Sequence, residues 1–174
     1  MEQREAARRL SGSAAGSVTF LGRVDGDLAA DRATVSEVAR VIRTVRPQVV
    51  LGHDPWKRYR LHPDHRAAGF LVCDAIVAAR DPHFFREHGL DHHRPDALLL
   101  FEADAPDHVE DVTAHVDAKL DALLAHESQF ESTMHAVAEA DLSAFRQRIR
   151  TRLAELGEPH GCAAAEVFKL ITDL

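Results

Sequence analysis

The chain has 174 residues, of which 45% are hydrophobic and 28% are charged, and this length and composition are ordinary for one folded domain. The net charge of −7 and the lack of a basic stripe argue against a nucleic-acid partner. No apolar run approaches the ~20 residues that span a bilayer, and the charged N-terminus does not resemble a secretory signal. We therefore predict a single domain over residues 1–174, located in the cytoplasm and without a membrane partner.

Short apolar runs alternate with longer amphipathic segments along the chain. Residues 18–22, 49–52 and 97–101 are predicted strands, and residues 11–17 and 82–96 are predicted loops, the second of them solvated. Capping residues, prolines and helical spacing predict helices over residues 3–10, 34–46, 63–80, 109–123 and 142–156. Strands that alternate with helices indicate an α/β fold, in which a mostly parallel sheet is covered on both faces.

Polar loops follow two of the predicted strands, where an α/β sheet places its active site. Residues 23–33 and 53–62 are rich in Asp, Arg and His, and the second loop leads into HPDH at the start of a helix. His62 and His65 are three residues apart, so on a helical turn they project to the same side. Asp64, between them, could accept a ring N–H. The pattern is typical of a metal or catalytic site, but a surface helix start with Asp64 at the positive dipole end explains it as well.

Several segments of the chain occur together, and in the same order, in one protein family. They are residues 4–6 with 20–22, 25–28, 46–50, 53–55 with 62–69, 119 with 125–129, and 165–168. This order resembles the LmbE-like (PIG-L) family of zinc-dependent N-deacetylases. The ordered set is far more specific than HPDH alone, and the resemblance extends over nearly the whole chain.

The resemblance implies a Rossmann-like three-layer sandwich with a mostly parallel sheet, and an enzyme that removes an acetyl group from a GlcNAc-type amino sugar or its conjugate. A Zn²⁺ ion, or another divalent metal, would polarise the amide carbonyl and activate water. By matching motif, His65 would be a metal ligand. His62 would be a charged imidazole that stabilises the oxyanion or protonates the leaving amine, and Asp64 would orient it.

Five further residues are candidate substrate contacts: Asp25, Asp54, Arg58, Tyr59 and His126. The first four lie in the loops that follow predicted strands, and the fifth stands in a late helix segment that resembles the family's. Each also has a simpler interpretation. The two aspartates fit turns, the arginine and tyrosine fit exposed loop positions, and His126 fits the polar side of an amphipathic helix.

One family segment is not found in the sequence. An AHPDDE-type segment, which in the family supplies a His ligand, an Asp ligand and the general base, does not occur. The resemblance therefore implies a sheet missing its first strands, and a chain that is N-terminally incomplete and inactive in this form. Such a chain would be unstable alone, repacked, or completed by another copy as a homo-oligomer, because unpaired apolar strand edges are costly.

Three explanations for the missing segment stay open. The start codon can be assigned too late, or the gene can be truncated; the genomic sequence upstream of Met1 would distinguish these cases. The chain can be a natural remnant that acts as a non-catalytic binding or interaction module. Alternatively, the metal site can be rebuilt from other residues, for which Asp54 with His65, and also His53, are the nearby candidates.

Overall fold

The computed structural model describes residues 1–11 and 18–174, so the predicted loop at 11–17 lies, except for Ser11, outside the described residues. The chain divides into two compact units. The helical unit consists of Met1–Phe20 and Val109–Glu166. The sheet unit consists of Leu21–His108 and Val167–Leu174. No helix among the described residues is long and apolar enough to cross a membrane. That both units make one domain stays a prediction.

The strands of the described residues are β1 (Val49–His53), β2 (Ala97–Phe101), β3 (His108–Asp111) and β4 (Ala165–Ile171). They form one sheet in the order β1-β2-β4-β3. β1 pairs with β2 in parallel orientation, and β2 pairs with β4 in antiparallel orientation. The predicted α/β class is therefore confirmed, and two of the three predicted strands are β1 and β2.

The helices of the described residues are α1 (Glu2–Ser11), α2 (Arg32–Val45), α3 (Pro63–Arg80), α4 (Val116–Leu123) and α5 (Glu139–Gly157). Short 3-10 and π turns connect several of the elements. α2 begins where the side chain of Asp31 accepts a 2.8 Å hydrogen bond from the backbone N–H of Thr34. It ends at Arg46, whose left-handed φ of 52° turns the chain into Pro47.

Two predicted elements are wrong. Residues 18–22 form no strand, and Phe20 is exposed with the guanidinium carbon of Arg4 lying 5.5 Å from its ring centroid. A short apolar run does not by itself determine secondary structure, because its pairing partner is supplied by tertiary contacts. The helix predicted over 109–123 begins only at Val116. The β-branched valines before it favour extended backbone, and the first of them lies in β3.

The core of the sheet unit is formed by the apolar faces of α2 and α3 and by side chains of β2. Ala39, Ala75 and Leu100 are fully buried there. α3 approaches β1 closely, since a Cβ atom on Gly69 would lie 2.6 Å from the carbonyl oxygen of His53. Only glycine permits this approach, and it fixes the carboxyl end of β1 beside α3.

The histidine-rich segment 82–96 packs against the helices of the sheet unit. Phe85 and His88 are buried, and Nε2 of His88 lies 2.8 Å from the hydroxyl oxygen of Ser36 on α2. The guanidinium of Arg43 donates hydrogen bonds to backbone carbonyls in and just after the last turn of α3. The prediction of a fully solvated loop is therefore wrong, because the end of α3 requires donors that α2 supplies.

Candidate metal and catalytic site

The candidate site lies at the carboxyl ends of β1 and β2. Because these strands run in parallel, His53 ends β1 opposite Phe101 of β2, and Glu102 follows directly. His65 lies in the first turn of α3, the helix that follows β1. One ligand atom from each of His53, His65 and Glu102 falls within 4.8 Å of the other two. Three side chains of types that bind metals therefore meet at this edge of the sheet.

Three imidazole rings form a row at the start of α3. The ring of His65 stacks on that of His62, with centroids 4.6 Å apart, and on that of His53, at 4.3 Å. His62 is the N-cap of α3, and its Nδ1 accepts a 3.2 Å hydrogen bond from the backbone N–H of Asp64. A neutral imidazole that accepts at Nδ1 carries its proton on Nε2. The exposed His62 ring therefore offers an N–H donor at Nε2.

The carboxylate of Asp64 binds the loop that precedes α2. Its two oxygens accept hydrogen bonds from the backbone N–H groups of Gly26 (2.7 Å) and Leu28 (3.2 Å). Its contact with His62 runs through its own backbone N–H. The carboxylate thus fixes the loop that carries Asp25 against the start of α3. Its predicted role in orienting His62 stays a prediction.

A buried arginine, Arg60, connects two of the three candidate ligands. Its Nη1 lies 2.9 Å from Nδ1 of His53 and 2.9 Å from Oε2 of Glu102. The residue is only 9% exposed, yet Nε and Nη2 have no hydrogen-bond partner among the described residues. Buried donors without partners are rare and costly. Arg60 is therefore held at the site in a half-satisfied state.

Arg60 and burial set the charge states of its two partners. Burial is the main cause that lowers the pKa of His53, and the nearby charges of His65 and Arg60 lower it further. Burial by itself would raise the pKa of Glu102. The hydrogen bond and the charge of Arg60 are the largest of the opposing effects, and together these effects lower the pKa of Glu102 below its ordinary value. At neutral pH His53 is thus neutral and Glu102 ionised, and these are the forms that bind metals.

Two non-glycine residues near this site have a left-handed backbone. Tyr59, which precedes Arg60, has a φ of 61°, and Glu102 has a φ of 57°. Such conformations cost free energy, and they cluster at functional sites where the surrounding structure maintains them. Tyr59 directly precedes Arg60 in the chain, and Glu102 is the carboxylate that Arg60 contacts.

The structure places the predicted substrate contacts in different surroundings. Asp54 is 8% exposed, and its Oδ1 accepts a 2.9 Å hydrogen bond from the backbone N–H of Trp56, which forms a local turn. Arg58 and Tyr59 are exposed beside it, and so is Asp25 at the turn that Asp64 holds. His126 lies in the helical unit. All five substrate roles stay predictions, and Asp54 is not among the clustered ligands.

Sequence reasoning missed Glu102 and Arg60. Glu102 directly follows the predicted third strand, and its position at the carboxyl end of a strand is the signal that could have identified it. Arg60 carried no such signal. It is one of several arginines around HPDH, and only the folded chain shows which of them is buried.

Comparisons with known proteins agree with the sequence motifs. The PIG-L family, described as GlcNAc-PI de-N-acetylase, matches residues 1–76. The predicted resemblance to the PIG-L family is confirmed. A similar protein, the diacetylchitobiose deacetylase of Thermococcus kodakarensis, is 40% identical over 109 residues, which are 61% of this chain and 41% of that protein.

Solved structures share the fold. The N,N'-diacetylchitobiose deacetylase of Pyrococcus horikoshii superimposes with a TM-score of 0.81 at 25% identity, over 98% of this chain and 62% of that one. A conserved protein of Thermus thermophilus gives a TM-score of 0.72 at 26% identity, over 97% of this chain and 69% of that chain. The 4-carboxy-2-hydroxymuconate hydratase of Pseudomonas putida gives 0.72 at 23% identity, over 98% of this chain and 70% of the hydratase. The chain thus spans less than two thirds of the length of either deacetylase.

The clustered donors fit a divalent metal of the kind that PIG-L proteins are expected to use. Two imidazoles and one carboxylate are a donor set found in catalytic zinc sites that keep one position open. The same set also suits other first-row ions, because their ligand preferences overlap. His53, His65 and Glu102 would hold such an ion.

Proposed function

We propose that this protein hydrolyses the N-acetyl group of a GlcNAc-type amino sugar with the help of a divalent metal, which the resemblance to PIG-L proteins suggests is Zn²⁺. The proposal rests on the HPDH turn at the start of α3, where the rings of His62 and His65 stack beside His53. The names of two similar proteins, both diacetylchitobiose deacetylases, support the substrate class.

The residues of HPDH would divide the chemical work. A bound ion would polarise the acyl oxygen and make water more acidic, with His65 as one of its ligands. His62 would donate a hydrogen bond from Nε2 to the negative charge that develops on the acyl oxygen. Protonation of the leaving amine would require the predicted charged imidazole, in which Nδ1 also carries a proton and no longer accepts from the backbone N–H of Asp64. Asp64 would keep the loop at Gly26 in place through its two backbone hydrogen bonds.

Exposed groups around HPDH would bind the sugar. Asp25, Arg58 and Tyr59 offer hydrogen-bonding groups at the surface, and Trp56 is 62% exposed. An exposed indole can pack against the apolar face of a sugar ring. A cytoplasmic location and a homo-oligomeric state also stay predictions.

Acetate release tests the proposal directly. The purified protein, in the longest form that its gene encodes, is incubated with Zn²⁺ and either N,N'-diacetylchitobiose or N-acetylglucosamine, and acetate is measured. We expect release that stops after chelation and returns with added metal. His62→Ala should lower kcat by about 10²- to 10⁴-fold, the usual contribution of a general acid.

His83→Ala is the matched control, because His83 is exposed and lies outside the cluster. It should leave the rate unchanged. No acetate from a broad panel of N-acetyl amino sugars would contradict the proposal and favour a non-catalytic binding module.

A further inference from the structure

We propose that His53, His65 and Glu102 form a divalent-metal site within this chain, and that Arg60 is a built-in competitor that must release two of these ligands before the metal can bind. The inference deepens the proposed function, since it names further residues for the metal on which that function rests. Its test needs no substrate, so the two proposals can fail separately.

The three candidate ligands are close together and two of them are open to solvent. Their atoms lie within 4.8 Å of one another, and they come from three places that the fold brings together: the end of β1, the residue after β2 and the first turn of α3. His65 and Glu102 are exposed, so an ion can reach them from solvent. Glu102 is held there in a left-handed conformation with a φ of 57°, a cost that a purely surface carboxylate does not require.

The guanidinium of Arg60 occupies two of the atoms that a metal would use. Nη1 of Arg60 donates to Nδ1 of His53 and to Oε2 of Glu102, each at 2.9 Å. The imidazole lone pair and the carboxylate oxygen that a metal would use are therefore already engaged by a cation. A divalent ion and a guanidinium cannot share these acceptors, because like charges at this separation repel strongly in a partly buried site.

The guanidinium of Arg60 makes few contacts that would hold it against displacement by a metal. Apart from these two contacts, the buried guanidinium has no hydrogen bond from Nε or Nη2 to any described residue. Moving it away from His53 and Glu102 therefore breaks only these two hydrogen bonds of the guanidinium. Competition of this kind makes the metal affinity of the chain adjustable through one residue outside the ligand set.

Titration with Co²⁺ tests the inference, because the visible absorption of Co²⁺ reports its ligands directly and Zn²⁺ displaces it. We expect the purified protein to bind one Co²⁺ per chain. His65→Ala and Glu102→Gln should each weaken binding by at least about tenfold, as expected for lost ligands. Arg60→Met, which keeps the length of the side chain and removes the charge, should strengthen binding by about tenfold or more.

Two controls separate the proposed site from general surface effects. Asp91→Asn changes an exposed carboxylate of the sheet unit outside the cluster and should leave Co²⁺ affinity unchanged. Arg60→Lys keeps a positive charge and should bind Co²⁺ less tightly than Arg60→Met. Circular dichroism monitors folding, and the exposed positions His65 and Glu102 test the ligand set even where Arg60→Met does not fold.

The inference is overturned if Glu102→Gln binds Co²⁺ as tightly as the wild-type protein, or if a folded Arg60→Met shows no gain. Co²⁺ binding with the expected variant pattern but without acetate release would leave the metal site standing and remove the proposed function. If Glu102→Gln releases acetate at the wild-type rate and binds Co²⁺ with unchanged affinity, the proposed function stands and the proposed metal site is removed.

Discussion

Two buried arginines in the sheet unit have opposite hydrogen-bonding states. Arg43 on α2 is 4% exposed, and each of its three nitrogens donates to a backbone carbonyl near the end of α3. Arg60, before the start of α3, is 9% exposed, but only Nη1 has partners among the described residues. Burial alone therefore does not distinguish the two residues.

The difference lies in what each guanidinium contacts. The partners of Arg43 are mostly backbone carbonyls, which cannot change charge and which need donors at a helix end. The partners of Arg60 are the side chains of His53 and Glu102, which can bind metals. The carbonyl partners of Arg43 account for its burial, whereas the two unpaired nitrogens of Arg60 require another explanation, and the proposed competition with a metal supplies one.

The largest expected effect is on stability at Arg43. Arg43→Met would leave several buried carbonyls without a donor, and we expect a loss of about 3–5 kcal/mol in the free energy of unfolding. Urea denaturation measures the loss. Arg40→Met, at an exposed position of the same helix, should cost less than about 0.5 kcal/mol. Equal losses in the two variants would show that the hydrogen bonds of Arg43 do not stabilise the fold.

A smaller effect is expected from pH at His88, which contacts Arg43. Burial is the main cause that lowers the pKa of His88, and Arg40 and Arg43 lower it further. The unfolded chain then binds the proton more readily, so the free energy of unfolding should fall as pH drops below about 6.5. Denaturation curves at several pH values measure this decline.

His88→Gln, which cannot titrate, should show a shallower decline over the same pH range. His53, whose pKa is also lowered, would account for part of the decline that remains. An unchanged pH profile in the variant would show that His88 is not neutral in the folded protein.

The smallest effect on stability is expected at Arg60. Arg60→Met removes a charge whose Nε and Nη2 are unpaired. Its charged partner Glu102 is exposed, so water can solvate the carboxylate after the guanidinium is removed. We expect a change within about 1 kcal/mol in the same urea experiment. A loss as large as that of Arg43→Met would show that Arg60 is structural and would remove the contrast between the two arginines.

The fold of the chain does not by itself select a reaction. The hydratase of Pseudomonas putida shares this fold with a TM-score of 0.72, and one fold commonly supports several chemistries. The case for deacetylation therefore depends on particular residues, above all His62 and His65 in HPDH. Variants of these residues test the function, whereas fold comparison does not.

Much of the sheet unit was predictable because its signals are local. The strands at 49–52 and 97–101 are apolar runs with polar ends, and the helix that starts at Pro63 has proline where it costs no hydrogen bond. The run at 18–22 has similar composition but forms no strand. Strand formation requires a neighbouring strand, and composition carries no information about that partner.

The sequence by itself determined the α/β class and the resemblance to PIG-L proteins, and it placed His62 and His65 on the same side of a helical turn, because alternating elements, ordered motifs and residue spacing can be read along the chain. Only the tertiary structure decided that Glu102 joins His53 and His65, and that Arg60 is buried with two nitrogens unpaired. Those contacts join residues as far apart in the chain as His53 and Glu102, and the packing of α3 against the parallel strands, rather than any local pattern, brings them together.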